Sequence, residues 1–300
     1  MTTSTPRIDA HVHFFTLRDL QRAGTRLPYA LPAPHSLGGY LDRLIGAGVR
    51  MALLNNVHLS ILPDSSHVFA SFAELAQLQR RDPGRYGGIR LVGTILADPA
   101  YATAQRLAHP QVQGVRIVLH DTPADAIRDD AYTGPDWQTL FHRLRGDQHV
   151  HIYAQHAQTN LKVLRQLPPL ARVLIDHLGT CHAERGADEP AYAELLDEAR
   201  RRGNVYFKGP GYRTATDPAV VAPFATRIIE RVGPGRLLLE ASDAPHVGRA
   251  ARGSAYADRF TALAALDFSA RLAAAAATRT GLAAETLLRG ACPDLFPSSR

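Results

Sequence analysis

Eight short apolar stretches recur along the chain, at 7–13, 49–57, 89–96, 114–120, 149–155, 172–177, 204–208 and 236–242. Amphipathic or alanine-rich segments lie between them, at 38–47, 66–81, 99–108, 135–146, 158–167, 190–202 and 217–232. Strands that alternate with helices pair in parallel, because each crossover helix carries the chain back to the starting edge of the sheet. Eight such units within 300 residues predict a single α/β domain, residues 1–300, folded as a (β/α)8 TIM barrel. A doubly wound sheet would carry Gly-x-Gly-x-x-Gly after its first strand, and no such run follows residue 13. The insertion at 14–37, with three prolines, reads as an active-site loop. The alanine-rich stretch near 261–284 is broken by Asp267, Arg271 and Arg279, so it reads as a packed surface helix and not as a membrane span.

A barrel gathers its chemistry at the C-terminal ends of its strands, so the strand ends are the places to look. The first strand closes with Ile8-Asp9-Ala10-His11-Val12-His13. Side-chain alternation would put Asp9, His11 and His13 on one face. Two imidazoles aimed at one point suit a metal ion or an electron-poor carbonyl. On strand four, Arg116, Val118 and His120 share a face. An arginine there requires a carboxylate partner, either a ligand or a structural acid such as Asp9 or a neighbour. Strand five leaves two inward sets open: His151, Tyr153 and Gln155, or His149 and the bulkier alternates.

Strand six runs into Asp176-His177-Leu178-Gly179, and strand eight into Ser242-Asp243-Ala244-Pro245-His246. An imidazole at His177 and a carboxylate at Asp243, the latter as metal ligand or general base, complete a convergent set with His11 and His13. Lys208 on strand seven is placed to line the barrel, and Arg213 in the following glycine-bounded loop is a second anion clamp. Cys181 and His182 lack a second cysteine pair and read as loop residues.

Composition excludes more than it selects. The charge of +6 comes almost wholly from arginine, with lysine only at 162 and 208, and the arginines are scattered without interleaved aromatics. That argues against nucleic acid; the bias is either a compositional preference for arginine over lysine or a few arginines serving a small anionic substrate, and charge alone does not separate the two. Two cysteines far apart in sequence, no apolar leader and no long apolar run predict a cytoplasmic protein without membrane contact. A homo-oligomer is left open.

The motifs Asp9-Ala10-His11-Val12-His13, Gly114-Val115-Arg116, Asp176-His177-Leu178-Gly179 and Ser242-Asp243-Ala244-Pro245-His246 together resemble the amidohydrolase superfamily, in its amidohydrolase-related branch. The chain looks most like the lactone hydrolases of that branch, such as the 2-pyrone-4,6-dicarboxylate lactonases. The resemblance implies hydrolysis of a cyclic ester without a tightly bound metal cofactor. His11, His13 and His177 would correspond to groups polarising the carbonyl, and Asp243 to the base. Arg116, Tyr153 and Arg213 stand where that family holds substrate carboxylates. In metal-using relatives, zinc-dependent decarboxylases or C–C hydrolases of aromatic or muconate-like acids, His11, His13 and Asp243 would instead bind Zn2+. The chain departs from the pyrone pattern at Ala244, at His120-Asp121-Thr122 and at Leu62-Pro63-Asp64-Ser65-Ser66-His67.

Overall fold

The computed structural model describes residues 7–23, 35–54, 62–179, 182–246, 248–251 and 254–296. In chain order its strands and α-helices begin β1 (Arg7–Val12), α1 (Leu17–Ala23), α2 (Leu37–Leu44), β2 (Val49–Leu54), α3 (Ser66–Arg81), α4 (Pro83–Tyr86) and β3 (Arg90–Leu96). They continue α5 (Ala104–Leu107), β4 (Val112–His120), α6 (Pro135–His142), β5 (His149–Ala154), α7 (Ala157–Gln166), β6 (Arg172–Ile175), α8 (Pro190–Arg202) and β7 (Val205–Lys208). The last are α9 (Pro218–Arg231), β8 (Leu237–Leu238), the hairpin β9 (Gly248–Ala251) and β10 (Ser254–Arg259), α10 (Ala262–Thr280), α11 (Ala284–Arg289) and α12 (Cys292–Leu295). Strands β1 to β8 form one parallel sheet in sequence order. The chain beyond β8 closes it against β1 through Ala10 N to Glu240 O at 2.9 Å, Asp243 N to His11 O at 2.6 Å and His13 N to Ala244 O at 2.7 Å. The fold is therefore a single-domain (β/α)8 barrel.

Alternation along each strand builds two cores. Val115, Ile117, Val150, Ile152, Val173, Ile175, Val205 and Phe207 point outward and pack with the surrounding helices. Ile8, Ala10, Val92, Leu174, Tyr206 and Leu238 fill the barrel with Ala291, Leu295 and Phe296 of the C-terminal segment. That segment plugs the bottom: Tyr206 Oη donates to Asp294 Oδ2 at 3.1 Å and Arg172 Nη1 to the Asp294 carbonyl at 2.7 Å. Between this plug and the mouth the interior turns polar, with His149, His151, Arg116, Asp176 and Lys208 all buried.

Three expectations need correction. Asp9 does not share a face with His11 and His13. Between Asp9 and Val12, β1 takes three residue steps while its partner β2 takes two, Ala52 to Leu54. This extra residue rotates the strand. Ile8 and Ala10 enter the barrel, whereas the Asp9 carboxylate accepts from Tyr40 Oη of α2 at 2.7 Å. The 14–37 insertion is not wholly loop, since it contains α1, and Phe15 pairs with His35 across it. The expected helix at 99–108 shrinks to the four residues of α5, capped by the Thr103 side chain accepting from Arg106 N. Residues 55–57 of the second apolar stretch lie outside the described residues.

Candidate active site

The bulge in β1 delivers His11 and His13 to the barrel mouth, fully buried. From the opposite side of the closure, Asp243 arrives with φ +56°, a left-handed conformation that turns its side chain off the strand line and into the mouth. His11 Nε2 and His13 Nε2 lie 3.3 and 3.2 Å from the same oxygen, Asp243 Oδ1, and 3.2 Å from each other. His177, at φ +51° in a turn after β6, stacks on His11 with ring centroids 5.0 Å apart and faces the Pro210 carbonyl through Nδ1 at 3.3 Å. The structure thus brings His11, His13, His177 and Asp243 together. His246, at the end of the same segment as Asp243, joins them by stacking on His13 at 4.9 Å.

The three substrate-binding candidates surround this centre, each already engaged. Arg213 Nε donates to Asp243 Oδ2 at 2.9 Å, and its Nη2 to the His246 carbonyl at 2.9 Å. Arg116 donates through Nε and Nη2 to Asp176 Oδ2, at 3.0 and 2.9 Å, and its guanidinium lies 5.2 Å from the centre of the Tyr153 ring. Tyr153 makes edge contacts with His177 and His120 at 5.1 and 5.2 Å. The inward set of β5 is His149, His151 and Tyr153, the two imidazoles joined at 2.7 Å.

Lys208 and Asp176 underlie the mouth. Lys208 Nζ donates to the Ala10 carbonyl at 3.0 Å and sits 3.3 Å from Asp176 Oδ1, so one carboxylate serves two cations. Asp9, Ser242 and Tyr40 form a support the sequence did not reveal. Asp9 Oδ1 accepts from the backbone N–H groups of His11 and Ser242 at 3.1 and 2.8 Å, and Oδ2 from the Ser242 hydroxyl at 2.5 Å. The Asp9 and Ser242 next to the motif residues were visible in the sequence; Tyr40, on a separate helix, carried no signal.

Burial governs the protonation states. Desolvation, reinforced by Lys208, holds His11 well below the usual imidazole range, and burial lowers His177 to about 4, so both are neutral near pH 7. Burial disfavours the charge on Asp243, but Arg213, His11 and His13 outweigh it and hold the carboxyl well below its ordinary value. Desolvation lowers Lys208 to about 8 against the attraction of Asp176, and burial raises Asp9 to about 6.

The same donor set fits a divalent cation. Ligand atoms of His11, His177 and Asp243 lie within 4.8 Å of one another, and edges of 3.2–3.3 Å between two imidazole nitrogens and a carboxylate oxygen require either protons or a cation among them.

A sequence model of the amidohydrolase family matches residues 8–280. Among solved structures, a protein of Pseudomonas putida assigned as a 2-pyrone-4,6-dicarboxylic acid hydrolase is 27% identical, with 97% of each chain covered and a TM-score of 0.67. A protein of Acinetobacter baumannii given the same assignment and solved with citric acid bound is 18% identical, covering 89% of this chain and 92% of its own, at a TM-score of 0.69. An Agrobacterium tumefaciens protein is 19% identical over 98% of this chain and 96% of its own, at 0.68. No curated protein matches significantly.

Proposed function

From the premise that this chain belongs to the amidohydrolase family, we propose that it hydrolyses a small carboxylated lactone. The observation that carries the reading is the convergence of three imidazoles on one carboxylate beside an arginine, at the rim where a barrel does its chemistry. The 27% identity to a protein assigned as a pyrone-dicarboxylic acid hydrolase supports the substrate class. Asp243 takes a proton from water while the water oxygen attacks the ring carbonyl carbon. His11, His13 and His177 stabilise the oxyanion, the interaction usually worth most in acyl transfer. Collapse breaks the ring C–O bond, and the proton held by Asp243 passes to the leaving alkoxide, giving a hydroxy acid. Arg213 and Tyr153 orient a substrate carboxylate, and Arg116 supports Tyr153 from below.

Arg213 gives this scheme a trigger. Paired with Arg213, Asp243 is a weak base. A substrate carboxylate that draws the guanidinium away restores basicity as the lactone arrives. The reading needs no tightly bound cofactor. Two cysteines far apart in sequence fit a reducing compartment, the cytoplasm; among the described residues no helix is long and apolar enough to cross a membrane.

A zinc-dependent decarboxylase or C–C hydrolase is the second reading, favoured by the ligand-like spacing around Asp243. His11, His13 or His177, and Asp243 would hold the ion, which would supply Lewis-acid polarisation and an acidified water. One experiment separates the two. Metal content is measured, and carboxylated lactones and pyrones are screened for ring opening with and without chelator. Chelator-resistant ring opening supports the lactonase; chelator-sensitive CO2 release from an aromatic acid supports the alternative.

A further inference from the structure

We propose that Asp121, His156 and His182 form a second, peripheral site for a divalent ion of the zinc class. The three come from separate loops on the active-site rim: Asp121 directly after β4, His156 just after β5, and His182 beyond the turn that follows β6. Their ligand atoms lie within 4.8 Å of one another. None of the three belongs to the catalytic cluster.

The two imidazoles are half-buried and held against each other, with the mostly exposed Asp121 carboxylate beside them. His156 Nε2 lies 2.7 Å from Asp121 Oδ1, and the two imidazole rings stack at 4.9 Å with planes 17° apart. Two imidazoles held face to face repel once both are protonated, so an anion alone is a poor reason to pair them. His182 is also oriented from outside: its Nδ1 is 3.0 Å from Glu184 Oε1. A carboxylate on one ring nitrogen orients the imidazole, which is the usual outer support of a metal-ligating histidine.

Ligand chemistry selects the ion. Two nitrogens and one oxygen suit zinc or its neighbours, whereas calcium and magnesium prefer all-oxygen shells. Tetrahedral zinc places ligand atoms about 3.3 Å apart, so the His156–Asp121 contact need open by only about half an ångström. Side chains of His156 and His182 are 19% and 24% exposed and Asp121 is 75% exposed, which leaves an entry path and a fourth position for water. A bound ion would tie together the loops over β4, β5 and β6, the part of the rim that carries Tyr153 and His177.

The test counts metal. Chelator-treated protein is dialysed against zinc sulfate in excess, and bound zinc is measured by elemental analysis for wild type and for His156→Gln/His182→Gln. The double variant should hold one zinc fewer per chain, whatever the catalytic cluster holds, and wild type alone should show a zinc-dependent rise in melting temperature. Asp121→Asn removes the charged oxygen ligand and should weaken the uptake by more than the roughly tenfold typical of losing an outer partner. Because all three residues are partly exposed, the zinc-free melting temperature should be unchanged, and single His182→Gln provides the same readout should the double variant fold poorly. Equal zinc content in wild type and the histidine variants, or no zinc uptake by wild type, overturns the proposal.

Discussion

Asp243 concentrates what a single side chain contributes here. Two imidazoles and a guanidinium touch it, and its left-handed backbone is what aims it. Asp243→Asn keeps the shape and removes the proposed base, so under the proposed lactone hydrolysis kcat should fall about a hundredfold or more. Steady-state kinetics on variant protein with an unchanged circular dichroism spectrum checks this; near-normal turnover would exclude Asp243 as the base. Residues that announce themselves by type at a strand end, such as His11, His13, His177 and Asp243, were legible in the sequence. Asp9 was legible in type but not in orientation, because a bulge costs one residue and alternation carries no mark of it. Its partner Tyr40 was silent, since a tyrosine on an amphipathic helix looks like ordinary core. Tyr40→Phe would leave the buried Asp9 carboxylate short of a donor and should cost about 1–3 kcal/mol in denaturant unfolding.

At the scale of the element, strand boundaries were easier to read than the contacts strands make. Apolar runs bounded by Gly, Pro and charged residues placed seven of the eight strands to within two residues at each described end, while β8 shortens to Leu237–Leu238 because the chain leaves regular pairing to form the closure. Strand β4 shows why a motif residue can matter for geometry alone. Gly114 has φ +150°, and a Cβ there would sit 1.8 Å from the His149 carbonyl oxygen of β5. Gly114→Ala should therefore split the β4–β5 pairing and give insoluble or cooperatively unstable protein; a melting temperature equal to wild type would contradict the close approach. Arg116, two residues on, has two of its donor nitrogens on Asp176. Arg116→Met should raise KM for an acidic lactone and also lower stability by about 3 kcal/mol, the low end for breaking a buried pair, because Lys208 still faces Asp176. Urea unfolding alongside kinetics separates the two effects, which the sequence alone would have merged.

For the molecule as a whole, the alternation of eight strand–helix units made the barrel legible, whereas its polar interior was not, because burial depends on closure. That interior sets a pH response. Seven buried histidines, His11, His35, His67, His149, His151, His177 and His246, have depressed pKa values, to about 4 for His35, His67 and His177 and about 3 for His149. Between the ordinary imidazole value of 6.5 and these lowered values, the unfolded chain binds protons that the native state refuses. Stability is therefore fully present above pH 6.5 and drains as pH falls toward 4, by about 1.4 kcal/mol per pH unit for each such histidine. Asp9, raised to about 6, works in the opposite sense, but it is one group against seven. Acid titration followed by circular dichroism should show cooperative unfolding in that window; a constant melting temperature from pH 7 to 4 would refute it. The seam between β1 and the segment after β8 has a further consequence. Asp9 and Ser242 are 233 positions apart, and their contact sits beside both halves of the candidate centre. Because loop closure over such a span comes only after most of the chain has collapsed, competence is acquired late in folding. A nascent chain that has not yet emerged past Asp243 can own most of its barrel and still have no chemistry to misdirect.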